Sequence, residues 1–304
     1  MTPFGRTGDR NKSKVAEETL VLPEADRPSP PLGARNVVVV TLDSLRYDSA
    51  MVADMANMAR LGDIERRFSY ASWTAPSHFN MLMGLMPHSS PTHVYASEYY
   101  KADFARYPER FGIPGIDFAA MLPSLWLPTY VRNVLGYRTG AMVSMPVLNE
   151  HTPINNNFDT YRLMPTHNDF EAQLDALHFE DDVPTFWMLN VGETHYPYAL
   201  ADEDAGEWPR ISGVHGVLKH LGSTSDTGEF FDADQMDRLR ERQVRAARYC
   251  DNLLGKLYDI VPPKTWIIVT SDHGELFGEA GYFGHGPINH EKVHEVPFVE
   301  GTIR

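Results

Sequence analysis

The sequence has 304 residues, 41 Asp and Glu against 27 Lys and Arg, a formal net charge of −14 and one cysteine, Cys250. That length supports one large α/β domain or two small ones, and the charge argues against a general phosphate-backbone binder, whose affinity comes from clustered Lys and Arg. A single cysteine excludes an intramolecular disulfide and a cysteine-based zinc cluster, and no apolar run approaches the ~20 residues that cross a bilayer.

Residues 1–34 are rich in charge and proline, as in Pro28-Ser29-Pro30-Pro31, and have no apolar period; Met1 to Lys14 carries no apolar leader core. They read as a flexible N-terminal arm, and the chain as a soluble, cytoplasmic protein that binds neither nucleic acid nor membrane. The run Asn36-Val37-Val38-Val39-Val40-Thr41-Leu42 predicts a buried strand ending at Asp43. Leu45, Met51, Met55 and Met58 then give a helical spacing through Leu61. A strand-to-helix passage is predicted over Phe68 to Met86, with Pro76 in the first helical turn. Pro91 to Gly115 and Ala201 to Gly228 read as loops or lids over the sheet edge. Further strands are predicted at Thr139 to Val147 and Thr185 to Val191, a long helix over Asp232 to Tyr258, and a strand from Trp266. Strands alternating with helices predict a three-layer α/β sandwich, a mainly parallel central sheet with helices on both faces.

Open sheets of this kind place ligands at the carboxyl ends of their strands, and four passages carry chemistry there. Asp272-His273 follows the Ile267-Ile268-Val269 strand and offers a carboxylate and an imidazole, a pairing that suits zinc or manganese. Asp43 ends the first strand and reads equally as a helix cap and as a cation ligand. Thr74 and Ser77 stand at a helix amino terminus, where a hydroxyl is most often a cap. Thr74 could instead be a nucleophile whose pKa a metal lowers. His195, after the strand ending at Val191, and His285, between Gly284 and Gly286, are a ligand or proton donor on one reading and packed loop residues on the other.

Taken in order, Val40-Thr41-Leu42-Asp43-Ser44-Leu45-Arg46, Thr74-Ala75-Pro76-Ser77-His78, Thr194-His195-Tyr196-Pro197-Tyr198, Ser271-Asp272-His273-Gly274-Glu275 and Gly284-His285-Gly286 resemble the sulfatase-like branch of the alkaline phosphatase superfamily. The likeness runs from about Asn36 to Gly301. It implies that Asp43, Thr74, Asp272 and His273 form the main metal site, holding Zn2+ or alternatively Mn2+. His195 and His285 would complete a second, weaker site, giving one or two ions, or hold the substrate's anionic oxygens. In sulfatases the nucleophile position is Cys or Ser followed by x-Pro-x-Arg, and is oxidised to an aldehyde. Here it is Thr74, with His78 in place of the Arg.

That departure points away from sulfuric esters and toward hydrolysis of phosphodiesters, phosphomonoesters or phosphonate esters through a phospho-threonine. Transfer to another acceptor, sulfatase-like hydrolysis of sulfuric esters, and a metal-stabilised, non-catalytic partner-binding protein are the alternatives. His195 or His285 would be the proton donor, and Thr74, His195 and His285 the catalytic set. Arg46 and His78 would meet ligands or anionic oxygens, Arg46 otherwise solvating the first helix; Asp48 and Glu275 would orient ligands. The chain stops soon after Val299, where many members continue. Residues 35–304 thus read as a catalytic domain lacking most of the usual carboxyl-terminal subdomain. Selectivity for a small anionic ester would come from inserted loops, or from another chain in a homo-oligomer or with a partner.

Overall fold

In the computed structural model, which describes residues 27–89, 96–122, 124–201, 203 and 233–303, strand β1 (Val37–Leu42) is buried at every position. An all-apolar run ending in Thr and Leu has no face to offer solvent, so it belongs in the middle of a sheet covered on both sides. The chain continues through α1 (Tyr47–Ala53), β2 (Glu65–Phe68), α2 (Thr74–Leu82), α3 (Ala96–Phe104), α4 (Tyr107–Phe111), α5 (Phe118–Met121) and α6 (Leu127–Asn133). It then forms β3 (Arg138–Val143), β4 (Thr160–Leu163), α7 (Phe170–Ala176), β5 (Thr185–Val191) and α8 (Ala233–Ile260). After β6 (Trp266–Thr270) come β7 (Leu276–Phe277), β8 (Phe283–Gly284), α9 (Glu291–His294) and β9 (Glu295–Thr302).

Seven strands form one sheet in the order β2-β9-β6-β1-β5-β3-β4. Pairings from β6 to β4 are parallel, and β9 runs antiparallel to both β6 and β2. Alternation along β1 sends Val38, Val40 and Leu42 into one core with residues of α1, α7 and α8, and Val37 and Val39 into another with residues of α2 to α6. The sheet is therefore mainly parallel with helices on both faces, as expected. The register matters most for the site: Thr41 stands between Asn190 of β5 and Thr270 of β6. The segments after all three strands thus leave the sheet at one level.

Several boundaries differ from the sequence reading. The first helix ends at Ala53 because Asp54 turns left-handed at φ 54°, and Met58 to Leu61 form a single 3-10 turn whose Met58 N–H is capped by the Asp251 carboxylate at 2.8 Å. The strand expected to Val147 stops at Val143, since Pro146 opens a 3-10 turn. Residues expected as loop between Pro91 and Gly115 include α3 and α4, because Phe104 of α3 and Tyr107 and Phe111 of α4 are buried in one apolar core. Residues 90–95 and 204–232 lie outside the described residues, so the lid expected over Ala201 to Gly228 falls almost wholly there. Of the arm expected over residues 1–34, residues 1–26 also lie outside them, while Arg27 donates to Asp159 Oδ1 at 2.7 Å and to the Tyr137 carbonyl at 3.1 Å. Among the described residues no helix is long and apolar enough to cross a membrane.

Candidate metal centre and active site

Asp43 is the first residue beyond β1 and has no solvent exposure. Its Oδ2 accepts from Asn190 Nδ2 at 2.8 Å, its Oδ1 from Ser44 Oγ at 3.1 Å and its carbonyl from Thr194 Oγ1 at 2.8 Å. Ser44 takes a left-handed φ of 63°, unusual for a side-chain-bearing residue, and its N–H donates to Asp272 Oδ1 at 3.1 Å. One turn residue thus ties the ends of β1 and β6 together.

Asp272 Oδ1 also accepts from the His273 N–H at 3.0 Å, whereas Oδ2 is buried with no hydrogen-bond partner and lies 3.3 Å from His273 Nε2. His273 Nδ1 donates to the Gly274 carbonyl at 2.9 Å, which leaves the Nε2 lone pair facing the carboxylates. Gly274 is required here: a Cβ would stand 2.1 Å from the Lys292 carbonyl oxygen, and its N–H donates to Val293 at 2.6 Å. Asp43, Asp272 and His273 offer ligand atoms that all lie within 4.8 Å of one another.

The electrostatics fit a cation. Burial and the neighbouring Asp43 carboxylate push Asp272 well above the usual carboxylate range. Burial would raise Asp43 too, but the fields of His195, His273 and His78 and the Asn190 hydrogen bond hold it lower. Two buried carboxylates facing each other with an orphaned oxygen between them and a neutral imidazole are an unfavourable arrangement unless a divalent ion neutralises it. Burial and His285 keep His273 well below its ordinary pKa, so its Nε2 is a lone-pair donor. Two carboxylate oxygens, one imidazole nitrogen and a hydroxyl match zinc or manganese better than calcium.

That hydroxyl is Thr74, first residue of α2, whose Oγ1 is 3.3 Å from His273 Nε2. Trp73, extended at φ −157°, caps the helix without a side-chain hydrogen bond; Pro76 has no N–H and the Ser77 N–H donates to the Trp73 carbonyl at 3.2 Å, so the first turn offers the N–H groups of Thr74 and Ala75. One turn on, His78 is fully buried; its Nδ1 donates to the Thr74 carbonyl at 2.9 Å and lies 3.6 Å from Asp272 Oδ2. Burial holds its pKa down, so it braces the Thr74 backbone as a neutral ring.

His285 packs on His273 with ring centroids 4.2 Å apart, and His195 on His285 at 5.1 Å. His195 Nδ1 donates to the Tyr196 carbonyl at 2.7 Å and His285 Nδ1 to Glu275 Oε1 at 3.2 Å. The other Glu275 oxygen accepts from the Tyr198 hydroxyl. Burial would lower the His285 pKa, but the hydrogen bond and charge of Glu275 override it and raise it. The two rings share a wall with Thr74 in a cleft of about 940 Å³. They are not part of the carboxylate-imidazole group that could hold an ion, which among the described residues comprises Asp43, Asp272 and His273.

The structure therefore brings Asp43, Thr74, Asp272 and His273 together and sets His195 and His285 beside them. Glu275, expected to orient a ligand, holds instead His285, which is outside that carboxylate-imidazole group. Arg46 neither touches this cleft nor solvates a helix: it is buried, grips both Asp48 oxygens and reaches Glu279 Oε1 at 2.6 Å and the Glu275 carbonyl. Asp48 accordingly anchors Arg46 and not a ligand. Asn190, Thr194, Tyr198 and Gln243 had no role in the sequence reading. Gln243 of α8 donates to the Ser44 and Thr194 carbonyls at 2.9 and 3.3 Å, bolting the turn from beneath. Of these, Asn190 left a signal as a polar residue inside an otherwise apolar strand, Thr194 and Tyr198 stood in the motif around His195, and Gln243 left none.

A family model described as Sulfatase matches residues 35–300. No curated protein matches the chain. Among solved structures, the C-terminal periplasmic domain of EcEptC from Escherichia coli, in complex with Zn, is similar over 91% of this chain and 75% of its own, at 13% identity and a TM-score of 0.54. The soluble domain of lipooligosaccharide phosphoethanolamine transferase A from Neisseria meningitidis is similar over 91% and 79%, at 13% identity and a TM-score of 0.51. Phosphonate monoester hydrolase from Agrobacterium radiobacter is similar over 88% and 68%, at 14% identity and a TM-score of 0.51.

Proposed function

Because this chain belongs to the sulfatase family, we propose that it is a metal-dependent hydrolase of phosphoric esters that works through a covalent intermediate on Thr74. The observation that carries the reading is the placement of the Thr74 hydroxyl, 3.3 Å from His273 Nε2, at the helix end that faces the buried carboxylate pair. A threonine cannot be oxidised to the aldehyde that sulfuric-ester cleavage uses in this family, but it is a competent phosphoryl acceptor.

Asp43, Asp272 and His273, with the Thr74 oxygen, would hold a zinc or manganese ion, which when bound acidifies the hydroxyl and offsets charge on the phosphoryl oxygens. Thr74 releases its proton to solvent and its Oγ attacks phosphorus, while the N–H groups of the first turn of α2 hold a non-bridging oxygen. The Oγ–P bond forms as the bond to the ester oxygen breaks. His285, kept protonated by Glu275, gives its proton to that oxygen, which departs as the alcohol. In the second step neutral His285 removes a proton from water, the water oxygen attacks phosphorus, and the Oγ–P bond breaks as Thr74 Oγ takes back a proton from solvent. The products are the alcohol and phosphate, or a phosphomonoester from a diester.

The test is a screen of phosphomonoester, phosphodiester, phosphonate-ester and sulfate-ester substrates with added Zn2+ or Mn2+, alongside Thr74→Ala. Turnover of phosphorus esters that disappears in Thr74→Ala, with an 80 Da adduct trapped on Thr74 in an acid quench of a phosphomonoester reaction, is the expected result. Hydrolysis confined to sulfate esters, or undiminished in Thr74→Ala, overturns the reading.

A further inference from the structure

The cleft that holds Thr74, His195 and His285 is otherwise hydrocarbon. Trp73, Pro76, Phe79, Met145, Val147 and Pro287 line it, and no Lys, Arg, Asp or Glu does so among the described residues. Asn80 also borders it, but its Nδ2 already donates to the Pro76 carbonyl at 2.8 Å. The polar side chains that remain are Thr74 and His285, the proposed reacting groups, and His195, whose ring packs on His285. Trp73 and Val147 leave 45% and 50% of their surface exposed, on a chain that buries most of its large apolar residues. Exposed apolar side chains converging on a catalytic hydroxyl mark a ligand surface. Across the cleft the walls come from separate segments, 73–79 from the start of α2 and 145–147 from the 3-10 turn after β3, and residues of these two elements pack against each other.

A charged or sugar-like substituent would find little to pair with here, and burying its polar groups unpaired is unfavourable. The net charge of −14 also opposes anionic polymers. We propose that the organic part of the substrate is an uncharged hydrocarbon group, which lies along Trp73, Phe79, Met145 and Val147 while its phosphoryl end meets Thr74. This rests on the reading of Thr74 as nucleophile, and its test separates the two.

Two homologous series are measured on the full chain with Zn2+ or Mn2+ present. One follows alcohol release from alkyl phosphates and alkyl methyl phosphates, methyl through octyl, as kcat/KM; the other follows calorimetric binding of non-hydrolysable alkylphosphonates of the same lengths. Full burial of a methylene gives about a four-fold gain, and an open cleft about two-fold, so both series should rise by about two- to four-fold per carbon until the chain outgrows the cleft. Val147→Asp and Trp73→Ser, at half-exposed positions, should flatten both slopes. A flat phosphonate series in the wild type overturns the hydrocarbon assignment, as does a slope that survives both substitutions. Rising phosphonate affinity with no alcohol released from any ester would overturn the hydrolase reading and leave the hydrocarbon assignment standing.

Discussion

Replacing Asp272 with Asn removes one of two facing buried carboxylates while keeping the shape of the side chain. Ligand atoms of Asp43 and Asp272 lie within 4.8 Å, so at an effective dielectric of about 20 their mutual repulsion is about 3 kcal/mol. An Asn Oδ1 still accepts from the Ser44 and His273 N–H groups. Its Nδ2 takes the place of the unpartnered Oδ2, 3.3 Å from the His273 Nε2 lone pair, where a donor is welcome. In chelator the variant should therefore be more stable by up to about 3 kcal/mol, which for a chain this long is about 5 °C in Tm. With a divalent ion at about 100 times its Kd, the wild type should gain about 2.7 kcal/mol and the variant almost none, because a neutral amide oxygen is a weak substitute for a carboxylate. Thermal unfolding with EDTA, then with Zn2+ and Mn2+, measures both effects, and activity should be lost throughout. A variant that melts below the wild type in EDTA, or that gains as much from metal, would refute the account of Asp272 as a ligand retained against stability.

Asn190→Ala removes a donor to Asp43 Oδ2 and the acceptor for the Ser144 and Met145 N–H groups. It should destabilise by about 2–4 kcal/mol in urea unfolding and weaken metal binding by about 10- to 100-fold in calorimetry. Burial pulls the His285 pKa down but Glu275 raises it, so kcat/KM should fall as pH climbs through a value above 6.5, the ordinary histidine value. Glu275→Gln should move that descending limb to lower pH in a pH-rate profile; an unmoved limb would exclude His285 as the acid. Burial pushes the Glu193 carboxyl up from 4.5 to about 7, so the folded chain keeps a proton that the unfolded chain has lost between those values. Stability should accordingly decline by about 3 kcal/mol as pH rises from 4.5 to about 7. Glu193→Gln, which can still accept from the Phe170 N–H, should remove most of that slope in urea midpoints at pH 5 and 8.

Sequence alone carried the sheet because its central strands have only one use. Val37 to Leu42, Thr185 to Val191 and Trp266 to Thr270 are too apolar for an edge or a surface, and the residues just beyond each strand must gather at one end of a parallel sheet. Asp43, His195 and Asp272 could be placed at that edge for the same reason, whereas Thr74 starts a helix and His285 lies in a glycine-flanked turn, and the family resemblance joined them to the set. β9 was not, because Pro297 and Gly301 read as breakers; yet Pro297 keeps a carbonyl that accepts from Thr270 Oγ1 at 2.9 Å. Nor was the support beneath the metal centre, since Gln243 and Tyr198 reach it only through folding, across 199 and 77 residues respectively to Ser44 and Glu275. Arg46 was misjudged for a related reason: its partners at Glu275 and Glu279 stand more than 220 residues away.

Four imidazoles surround the proposed reaction centre, and each is held through Nδ1: His78 by the Thr74 carbonyl, His195 by Tyr196, His273 by Gly274 and His285 by Glu275. Fixing the proton on Nδ1 leaves Nε2 available, which on the proposed reading makes it the ligand atom of His273. The acceptor then sorts the roles. A carbonyl fixes the tautomer without adding charge, so His273 stays neutral and His78 can lie beside Asp272 without competing with a cation. A carboxylate favours the imidazolium, and only His285 has one. In the proposed mechanism this assigns the proton donor to His285. Tyr198, by holding the far oxygen of Glu275, keeps that carboxylate turned toward the ring that needs the proton.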